Sequence, residues 1–348
     1  MNTLKFIKID DNSRIPKYRQ IVDSIIHNIS ICNFNVNQKI PSINSLSEEL
    51  YLSRDTVEKA YAILKEREII IATRGKGYYI ARTKLQLKTN ILFLINKPSS
   101  YKLKIYKAFI DTIGVNTHTD LRIYHCDELL FLDLMEKHKS VYDYYVIMAH
   151  FKTEELNHTS FTDSVIKAIR KIPKEKLVIL DNIIPGIGGE IIEVYQDFEN
   201  DIYNSLIEGL NKISKYQKII LIYQDKSVYP YPRRILRGFR KFCEENSLNF
   251  EIISEVFDDM ILKKGDLFIT IDEIDLVNLV KQIREQEFIL GNDIGIISYN
   301  ETPLKELLGI TVISTDFKQM GEAAAYMIQN NKKEKYKVPF NLIDRESL

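Results

Sequence analysis

The chain has 348 residues, of which 45% are hydrophobic and 28% charged, and its formal net charge is zero. This composition is typical of a globular protein, and the length predicts two or three folding units rather than a single core. Membrane spans and a secretory signal are not predicted. No apolar stretch approaches the roughly 20 residues that cross a bilayer, and the N-terminal segment carries charges throughout.

The charge is unevenly distributed along the chain. Residues 1–84 contain 14 Lys and Arg against 9 Asp and Glu, a net charge of +5, which leaves 34 against 39, or −5, for the remainder. A basic N-terminal part and an acidic remainder predict that a phosphate-rich partner binds at the N-terminal part only. The three cysteines, Cys32, Cys126 and Cys243, are odd in number and far apart. They predict reduced thiols and therefore a cytoplasmic location.

The first 80 residues predict three helices followed by a hairpin. Apolar residues recur at helical spacing after Pro16, and again in a short stretch after Pro41. Ser53 is a suitable N-cap for a third helix. The predicted buried stripe of that helix consists of Val57, Ala60, Tyr61 and Leu64. Two β-rich runs then flank the glycine-containing segment 74–77, which predicts a hairpin tip. This order of elements is that of a winged helix-turn-helix.

The pattern changes after residue 82. We predict a DNA-binding domain at 1–82, a polar linker at 83–89 and a second domain at 90–348. In this last part, apolar runs alternate with amphipathic helical segments, which predicts parallel sheets covered by helices on both faces. About ten such strands predict two sheets rather than one. The fold class is therefore α/β, with an N-terminal winged helix.

Residues 40–81 carry the features of a known family in their usual order. These are Pro41-Ser42, Glu48-Glu49-Leu50, Ser53-Arg54-Asp55-Thr56-Val57 and Gly75-Lys76-Gly77. Along this length the chain resembles the winged-helix head of GntR-type bacterial regulators, which implies that double-stranded operator DNA is a partner. Asn44 and Glu58 stand where the family often has arginine, so we expect a different operator sequence.

The candidate DNA contacts lie on the predicted helices and on the hairpin. They are Ser42, Asn44, Ser53, Arg54, Thr56, Lys59, Lys76 and Gly77. At the start of a recognition helix, Arg54 and Thr56 can reach base edges, and Arg54 can form two hydrogen bonds with guanine O6 and N7. Small residues allow close approach to phosphates. For Lys59 and Lys76, a solvated surface charge is the alternative interpretation.

Several stretches of the second domain resemble another family. They are residues 176–186, 193–201, 232–242, 267–280 and 294–328. In them the chain is similar to the effector domain of LacI-type regulators and to periplasmic sugar-binding proteins. The resemblance implies a two-lobed domain that binds a small sugar or sugar phosphate between its lobes. Two positions depart from the pattern: Ile271 replaces a common ligand-facing Asn, and Ile235 stands where an Arg is expected.

The candidate ligand contacts follow strands at their carboxyl ends, where open parallel sheets bind ligands. They are Tyr101, His150, Asp181, Asp197, Arg233, Arg234, Asp272 and Asn300. Such groups pair sugar hydroxyls, and a ring of Tyr101, Tyr229 or Tyr231 can cover a sugar C–H face. Alternatively, Asp181 and Asp272 cap the helices that follow them, and His150 is a structural histidine.

Catalytic motifs are missing from the sequence. It contains no phosphate loop, nucleophile elbow, C-x-x-C or H-E-x-x-H. We therefore predict neither an enzyme nor a cofactor or metal site. The predicted function is a homodimeric regulator that acts as a repressor of a carbohydrate-utilisation operon. Two alternatives stay open: a DNA-binding head fused to an enzymatic body, and a plain sugar-binding module.

Overall fold

The computed structural model describes residues 3–11, 13–30, 33–81, 89–138 and 141–348. It divides into two compact units, Met1–Lys88 and Thr89–Leu348, here called the head and the body. Cys32 and the predicted linker 83–89, except Thr89, lie outside the described residues. Among the helices that the structure describes, none is long and apolar enough to cross a membrane.

The head is a winged helix-turn-helix, as predicted. After a 3-10 helix at Thr3–Phe6, its elements are α1 (Lys17–Ser30), β1 (Lys39–Ile40), α2 (Ile43–Glu49), α3 (Arg54–Glu66), β2 (Ile70–Thr73) and β3 (Gly77–Ile80). The strands form an antiparallel sheet in the order β1-β3-β2. Ser53 caps α3 by accepting a hydrogen bond from the Thr56 N–H at 3.3 Å. All four residues of the predicted stripe on α3 are buried.

The first lobe of the body is built on a six-stranded sheet. The elements in the first half of the body are β4 (Thr89–Ile95), α4 (Ser100–Ile113), β5 (Thr117–Ile123), α5 (Glu128–Lys137), β6 (Tyr144–Met148), β7 (Phe151–Lys152), β8 (His158–Thr159), α6 (Asp163–Ile169), β9 (Leu177–Asp181) and β10 (Ile192–Tyr195). A 3-10 helix at Lys174–Lys176 precedes β9. Strands β7 and β8 form a small separate hairpin.

The second lobe is built on another six-stranded sheet. The remaining elements are α7 (Phe198–Glu208), α8 (Leu210–Ile213), β11 (Lys218–Ile222), α9 (Arg233–Glu245), β12 (Phe250–Ile253), β13 (Asp266–Thr270), α10 (Glu273–Glu285), β14 (Ile294–Tyr299), α11 (Pro303–Leu307), β15 (Thr311–Thr315), α12 (Phe317–Gln329), β16 (Lys335–Lys337) and β17 (Phe340–Ile343). The sheet orders are β16-β10-β9-β6-β4-β5 and β12-β11-β13-β14-β15-β17.

Each central strand buries side chains on both faces of its sheet. On β4, Ile91, Phe93 and Ile95 belong to one apolar cluster, whereas Leu92 and Leu94 belong to another. Strand β11 divides its side chains in the same way between two clusters of the second lobe. Because successive side chains of a strand point to opposite faces, a sheet covered on both sides requires continuous apolar runs. This requirement explains why the central strands could be predicted from the sequence.

The chain crosses between the lobes three times. The crossings follow β10, β15 and β16, so that α12 and β16 return to the first lobe and β17 completes the second. Hydrogen bonds join the crossing segments to one another. Thr315 Oγ1 donates to Gln196 Oε1 at 2.7 Å, the Asp316 N–H to Pro339 O at 3.0 Å, and the Val338 N–H to Tyr195 O at 2.9 Å.

The sequence patterns placed some strands incorrectly. The apolar run at 121–126 predicts the second strand of the body at these residues, but the strand spans Thr117–Ile123. The chain then turns, with His125 and Cys126 at φ 50° and 55°. The two sheets contain twelve strands rather than about ten, and β17 pairs antiparallel with β15. The short edge strands lack the long apolar run by which the central strands are recognised.

Helices α4 and α12 approach each other closely at Gly321. A Cβ atom added at this residue would lie 2.3 Å from the Ile105 carbonyl oxygen and 2.9 Å from the Ala108 Cβ. We expect Gly321→Ala to destabilise the body by about 1–3 kcal/mol, since neighbouring backbone must move. Gly188 has no atom within 4 Å of such a Cβ, so Gly188→Ala is the control. Equal melting temperatures of the two variants in calorimetry would contradict this account.

Candidate functional site

The candidate DNA contacts are gathered around α2, α3 and the hairpin of the head. Ser42 caps α2 through the Ser45 N–H at 3.1 Å, and Ser53 caps α3. Tyr61 of α3 donates a hydrogen bond to the Pro41 carbonyl at 2.8 Å and packs against the ring of Tyr78 on β3. These contacts hold the start of α2 and the hairpin against α3.

The side chains in this region differ in solvent exposure and in the contacts that they already make within the head. Asn44 and Arg54 are exposed, whereas Thr56 is half-buried and its hydroxyl lies 2.8 Å from that of Ser53. The Lys59 ammonium group lies 4.2 Å from the ring centroid of Tyr18. Lys76 is exposed at the hairpin tip.

The positions in the head with left-handed backbone include Tyr51 and Gly77. Gly77 has φ 104°, where an L side chain is strained, so the hairpin tip requires a glycine. Tyr51, in the turn between α2 and α3, has φ 50° and is 96% exposed. Neither Tyr51 nor the exposed Arg74 of the hairpin was predicted from the sequence as a DNA contact. The turn at Tyr51 was not evident from the sequence pattern, whereas Arg74 lies in the hairpin tip that the sequence predicted, so a signal for Arg74 was available.

The body contains a cavity of about 600 Å³ between its two lobes, a volume typical of sites for small molecules. One wall comes from the segment 97–101 and Lys104 of the first lobe. The opposite wall comes from Tyr231, 271–273 and 299–305 of the second lobe. The cavity therefore lies at the carboxyl ends of β4, β13 and β14, the edge at which parallel sheets bind ligands.

Three of the eight predicted ligand contacts line this cavity. They are Tyr101, Asp272 and Asn300. Asp272 also caps α10, because it accepts the Ile274 N–H at 2.8 Å, and its other oxygen accepts the Tyr231 hydroxyl at 3.1 Å. Asp272 therefore caps a helix, which was the alternative role predicted from the sequence, and it also lines the cavity.

Asp181 and His150 lie outside the set of cavity-lining residues. Asp181 is fully buried, and its carboxylate is 3.1 Å from the Lys102 ammonium and 3.0 Å from His150 Nε2. It also accepts hydrogen bonds from Gln196 and, at 3.4 Å, from the Tyr101 hydroxyl. Asp181 does not cap a helix. These buried contacts support the cavity wall from behind, through Tyr101.

The charges of this buried cluster are set by opposing effects. Burial alone raises the pKa of Asp181, but Lys102 and the hydrogen bond from His150 together hold it well below its usual range. Burial, followed by the nearby positive charge of Lys102, lowers the pKa of His150 to about 4. Asp181 is therefore ionised and His150 is neutral at pH 7. The Nδ1 atom of His150 lies 2.8 Å from His158 Nε2.

The other three predicted contacts also lie outside the cavity lining. Asp197 caps α7 through the N–H groups of Glu199 and Asn200. Arg233 pairs with Asp225 and donates to Asn157 Oδ1 at 2.8 Å, while Arg234 donates to Asn182 and lies over the ring of Phe198. Because Asn157 and Asn182 belong to the first lobe, both arginines join the lobes to each other.

Several residues that line the cavity were not predicted from the sequence as ligand contacts. Among the described residues, the buried polar atoms without a hydrogen-bond partner include Ser99 Oγ, Tyr299 OH and Glu301 Oε1, and all three residues lie on the cavity wall. Lys97 and Lys305 also line it. A signal was available for Ser99 and Tyr299, since each stands at or just after the end of a strand.

A second cavity, of about 440 Å³, lies in the first lobe between α5, α6 and the 3-10 helix at Lys174–Lys176. Its described lining includes apolar residues and three lysines, Lys167, Lys171 and Lys176. None of the unpartnered buried atoms of the described residues belongs to this lining. The cavity between the lobes is the stronger candidate for a ligand site, because it is the larger of the two and lies at the carboxyl ends of parallel strands.

Two family models match the chain. Residues 17–80 match bacterial regulatory proteins of the gntR family, and residues 213–348 match a periplasmic binding protein-like domain. The chain joins a gntR-type head to a periplasmic-binding-protein-like body. The two sequence resemblances and the fold class are thereby confirmed.

One curated relative matches the gntR-type head. It is the HTH-type transcriptional repressor YtrA of Bacillus subtilis, 33% identical over 75 residues, a match that covers 22% of this chain and 58% of that relative. The chain thus spans little more than half the length of this relative.

Solved structures match the body. The trehalose repressor of Escherichia coli is 12% identical with a TM-score of 0.58, and the match covers 74% of this chain and 100% of that one. A LacI-type regulator of Alkaliphilus metalliredigens, complexed with D-xylulofuranose, is 14% identical with a TM-score of 0.53, covering 75% and 99%. At these identities the likeness establishes the fold of the body.

Proposed function

We propose that the protein is a DNA-binding transcription regulator, acting as a repressor of a carbohydrate-utilisation operon, whose affinity for its operator changes when a small sugar-like effector binds. The observation that carries this proposal is the combination of a gntR-type head with a cavity between two lobes. That cavity is lined by polar side chains that include Asp272, Asn300 and Glu301.

The DNA-binding half of the proposal is supported by the head. Arg54 is exposed at the first turn of α3, and Asn44 is exposed on α2. Residues at the start of a recognition helix contact base edges in the major groove, while caps, glycines and lysines hold phosphates. In our proposal Arg54, Asn44 and Thr56 contact bases. Ser42, Ser53, Lys59, Lys76 and Gly77 position the backbone.

The effector half of the proposal is supported by the cavity. Tyr101 and Tyr231 offer aromatic faces, and Asp272, Asn300 and Glu301 offer oxygen or amide groups suited to sugar hydroxyls. The similar bodies named above belong to a trehalose repressor and to a regulator complexed with D-xylulofuranose. A sugar-like effector is consistent with both the lining and these relatives.

We further propose that the regulator acts in the cytoplasm as a homodimer on a two-fold symmetric operator, because paired heads contact paired half-sites. Effector binding then changes the arrangement of the lobes and, through the linker 83–89, the placement of the heads. A substantial population shift requires the effector to favour one state by several kcal/mol.

An enzymatic body is not favoured, since the match to the periplasmic binding fold accounts for residues 213–348 and the family matched by the head is one of regulators. A bound pyridoxal-type cofactor would absorb between roughly 300 and 450 nm, a standard range for such chromophores. Absorbance of the purified protein in that range would favour the enzymatic alternative.

The proposed function is tested by selecting duplexes from a random library with the full-length protein. Monosaccharides and their phosphates are then screened by thermal shift, since a ligand at a hundred times its Kd stabilises by about 2.7 kcal/mol. We expect selection of a two-fold symmetric site, and at least a tenfold change in affinity for that site with the stabilising sugar. The proposal fails if no site is selected or if a stabilising sugar leaves DNA affinity unchanged.

A further inference from the structure

A β-hairpin of the first lobe extends toward the second lobe. Strands β7 and β8 pair antiparallel, and residues 153–157 form the tip between them. Within the tip, the Leu156 N–H donates to the Thr153 carbonyl and the Thr153 N–H donates to the Asn157 carbonyl, both at 2.9 Å. These bonds use neither the Leu156 carbonyl nor the Asn157 Oδ1 atom, which are therefore available to a partner outside the hairpin.

The base of the hairpin is fixed in the core of the first lobe. Phe151 is fully buried in an apolar cluster of that lobe, and its ring centroid lies 5.1 Å from those of Tyr124 and Phe131. The Lys152 N–H donates to the Cys126 carbonyl at 2.9 Å. Because its base is packed and hydrogen-bonded, the hairpin moves with the first lobe and carries its tip with it.

The second lobe contributes the loop 223–232, which connects β11 to α9. The Tyr223 hydroxyl donates to the Tyr231 carbonyl at 2.8 Å, and the Tyr229 N–H donates to Ser227 Oγ at 3.3 Å. The loop also contains two prolines, whose rings fix φ. Its own contacts therefore hold the loop in shape.

Two hydrogen bonds join the hairpin tip to the second lobe. The Ser227 N–H donates to the Leu156 carbonyl at 3.2 Å. The guanidinium group of Arg233, the first residue of α9, donates to Asn157 Oδ1 at 2.8 Å. The two groups that the hairpin leaves available are thus both bound by the second lobe.

A third contact joins the lobes through the same loop. His125, in the turn that follows β5, has its Nδ1 atom 2.8 Å from the Tyr229 hydroxyl. We call the hairpin 151–159 and the loop 223–232, with His125, the latch. The six residues that form its three hydrogen bonds are all outside the set of described residues that line the cavity. The latch can therefore be altered without removing a cavity-lining side chain.

Opening the latch breaks no covalent connection. At the crossings, by contrast, the chain itself joins the lobes three times, so the lobes cannot separate there. One hydrogen bond near solvent shifts an equilibrium by roughly two- to tenfold. Three such bonds are therefore sufficient to decide which arrangement of the two lobes is more populated.

We propose that the latch stabilises the arrangement in which both walls of the cavity face the same effector, and that its opening lets the lobes move apart. An effector that contacts both walls favours the latched arrangement, whereas loss of the latch favours the open one. This inference rests on the proposed function for its effector. The latch itself is tested without ligand or DNA.

The first test is amide hydrogen exchange of the full-length Asn157→Ala variant, measured with residue-level resolution. The Ser227 amide donates across the latch, so we expect it to exchange about threefold faster or more, the effect of one lost hydrogen bond. The amides of Thr153 and Leu156 should retain their protection, because their bonds lie within the hairpin. An unchanged rate at Ser227 would overturn the proposal, as would equal loss of protection at all three amides, which indicates unfolding of the hairpin.

The second test uses Tyr229→Phe, which removes the hydroxyl that contacts His125 and retains the ring. It should also accelerate exchange at Ser227, and the double variant with Asn157→Ala should exceed either single variant. Asn341→Ala, at an exposed position of β17 in the second lobe, is the control and should leave the rate at Ser227 unchanged. A double variant that exchanges no faster than Asn157→Ala would contradict a single latch.

The last measurement connects the latch to regulation. It compares the affinity of Asn157→Ala for the selected duplex with that of the unmodified protein in the presence of the stabilising sugar. Because the sugar favours the latched arrangement and the variant favours the open one, the two changes in affinity should have opposite signs. Changes of the same sign would overturn the regulatory role of the latch. Faster exchange at Ser227 in a protein that selects no duplex would support the latch and contradict the proposed function.

Discussion

Replacing Arg54 by alanine is expected to lower the affinity for the specific operator by about 10- to 100-fold, since a bidentate contact to a base contributes roughly 1–3 kcal/mol. Arg54 is exposed at the first residue of α3, where the Ser53 cap fixes the start of the helix. The variant should retain the effector-induced rise in melting temperature, because the cavity residues belong to the body. Mobility-shift titration and thermal shift measure the two properties separately.

Lys65→Ala is the matched control for Arg54→Ala. Lys65 is an exposed cation at the other end of the same helix, in its last turn. It should leave sequence-specific binding within about threefold of the original value, the effect of losing at most one distant phosphate contact. If Arg54→Ala and Lys65→Ala weaken specific binding equally, or if Arg54→Ala also abolishes effector binding, the proposed division of labour between head and body is wrong.

Lys102→Met is expected to destabilise the body by about 3–5 kcal/mol, the cost typical of removing one partner from a buried ion pair. Lys102 and Asp181 are both fully buried, with their charged groups 3.1 Å apart. The substitution leaves the Asp181 carboxylate facing Tyr101, His150 and Gln196 without a cation. For a domain of this size, calorimetry should record a decrease in melting temperature of roughly 6–15 °C.

A double variant distinguishes the lost charge pair from lost packing. Combining Lys102→Met with Asp181→Asn removes both charges, so it should recover part of the stability lost by Lys102→Met alone. Lys107→Met, on the exposed face of the same helix, should change the melting temperature by less than about 2 °C, as most surface substitutions do. A double variant less stable than Lys102→Met would mean that the charge pair is not the source of the effect.

The Lys102–Asp181 pair connects fold stability to the ligand site. Tyr101 lines the cavity, packs against Phe317 with ring centroids 4.6 Å apart, and donates its hydroxyl to Asp181. The wall that would contact the effector is therefore fixed by a buried cluster rather than by the ligand. Such support from a second layer of residues is how binding sites maintain their geometry before ligand binds.

The sequence determined the elements whose signals are local. The Ser53 cap, the buried stripe of α3, the glycine-containing hairpin and the apolar central strands of the body all appear where the pattern predicted them. Each depends on residues within a few positions of one another, through helical or strand periodicity and turn chemistry. The same signals sufficed for the winged helix and for the α/β class of the body.

Only the tertiary structure decided which strand-end residues line the cavity. Asp197 and Asp272 both cap helices, yet only Asp272 lies on the cavity wall, and Asp181 is enclosed by Lys102 and His150. Likewise, the rings of Tyr229 and Tyr231, which lie beside the Lys97 ammonium group, come from a segment more than a hundred residues away. The charge and accessibility of a side chain are set by packing between distant segments, which periodicity does not encode.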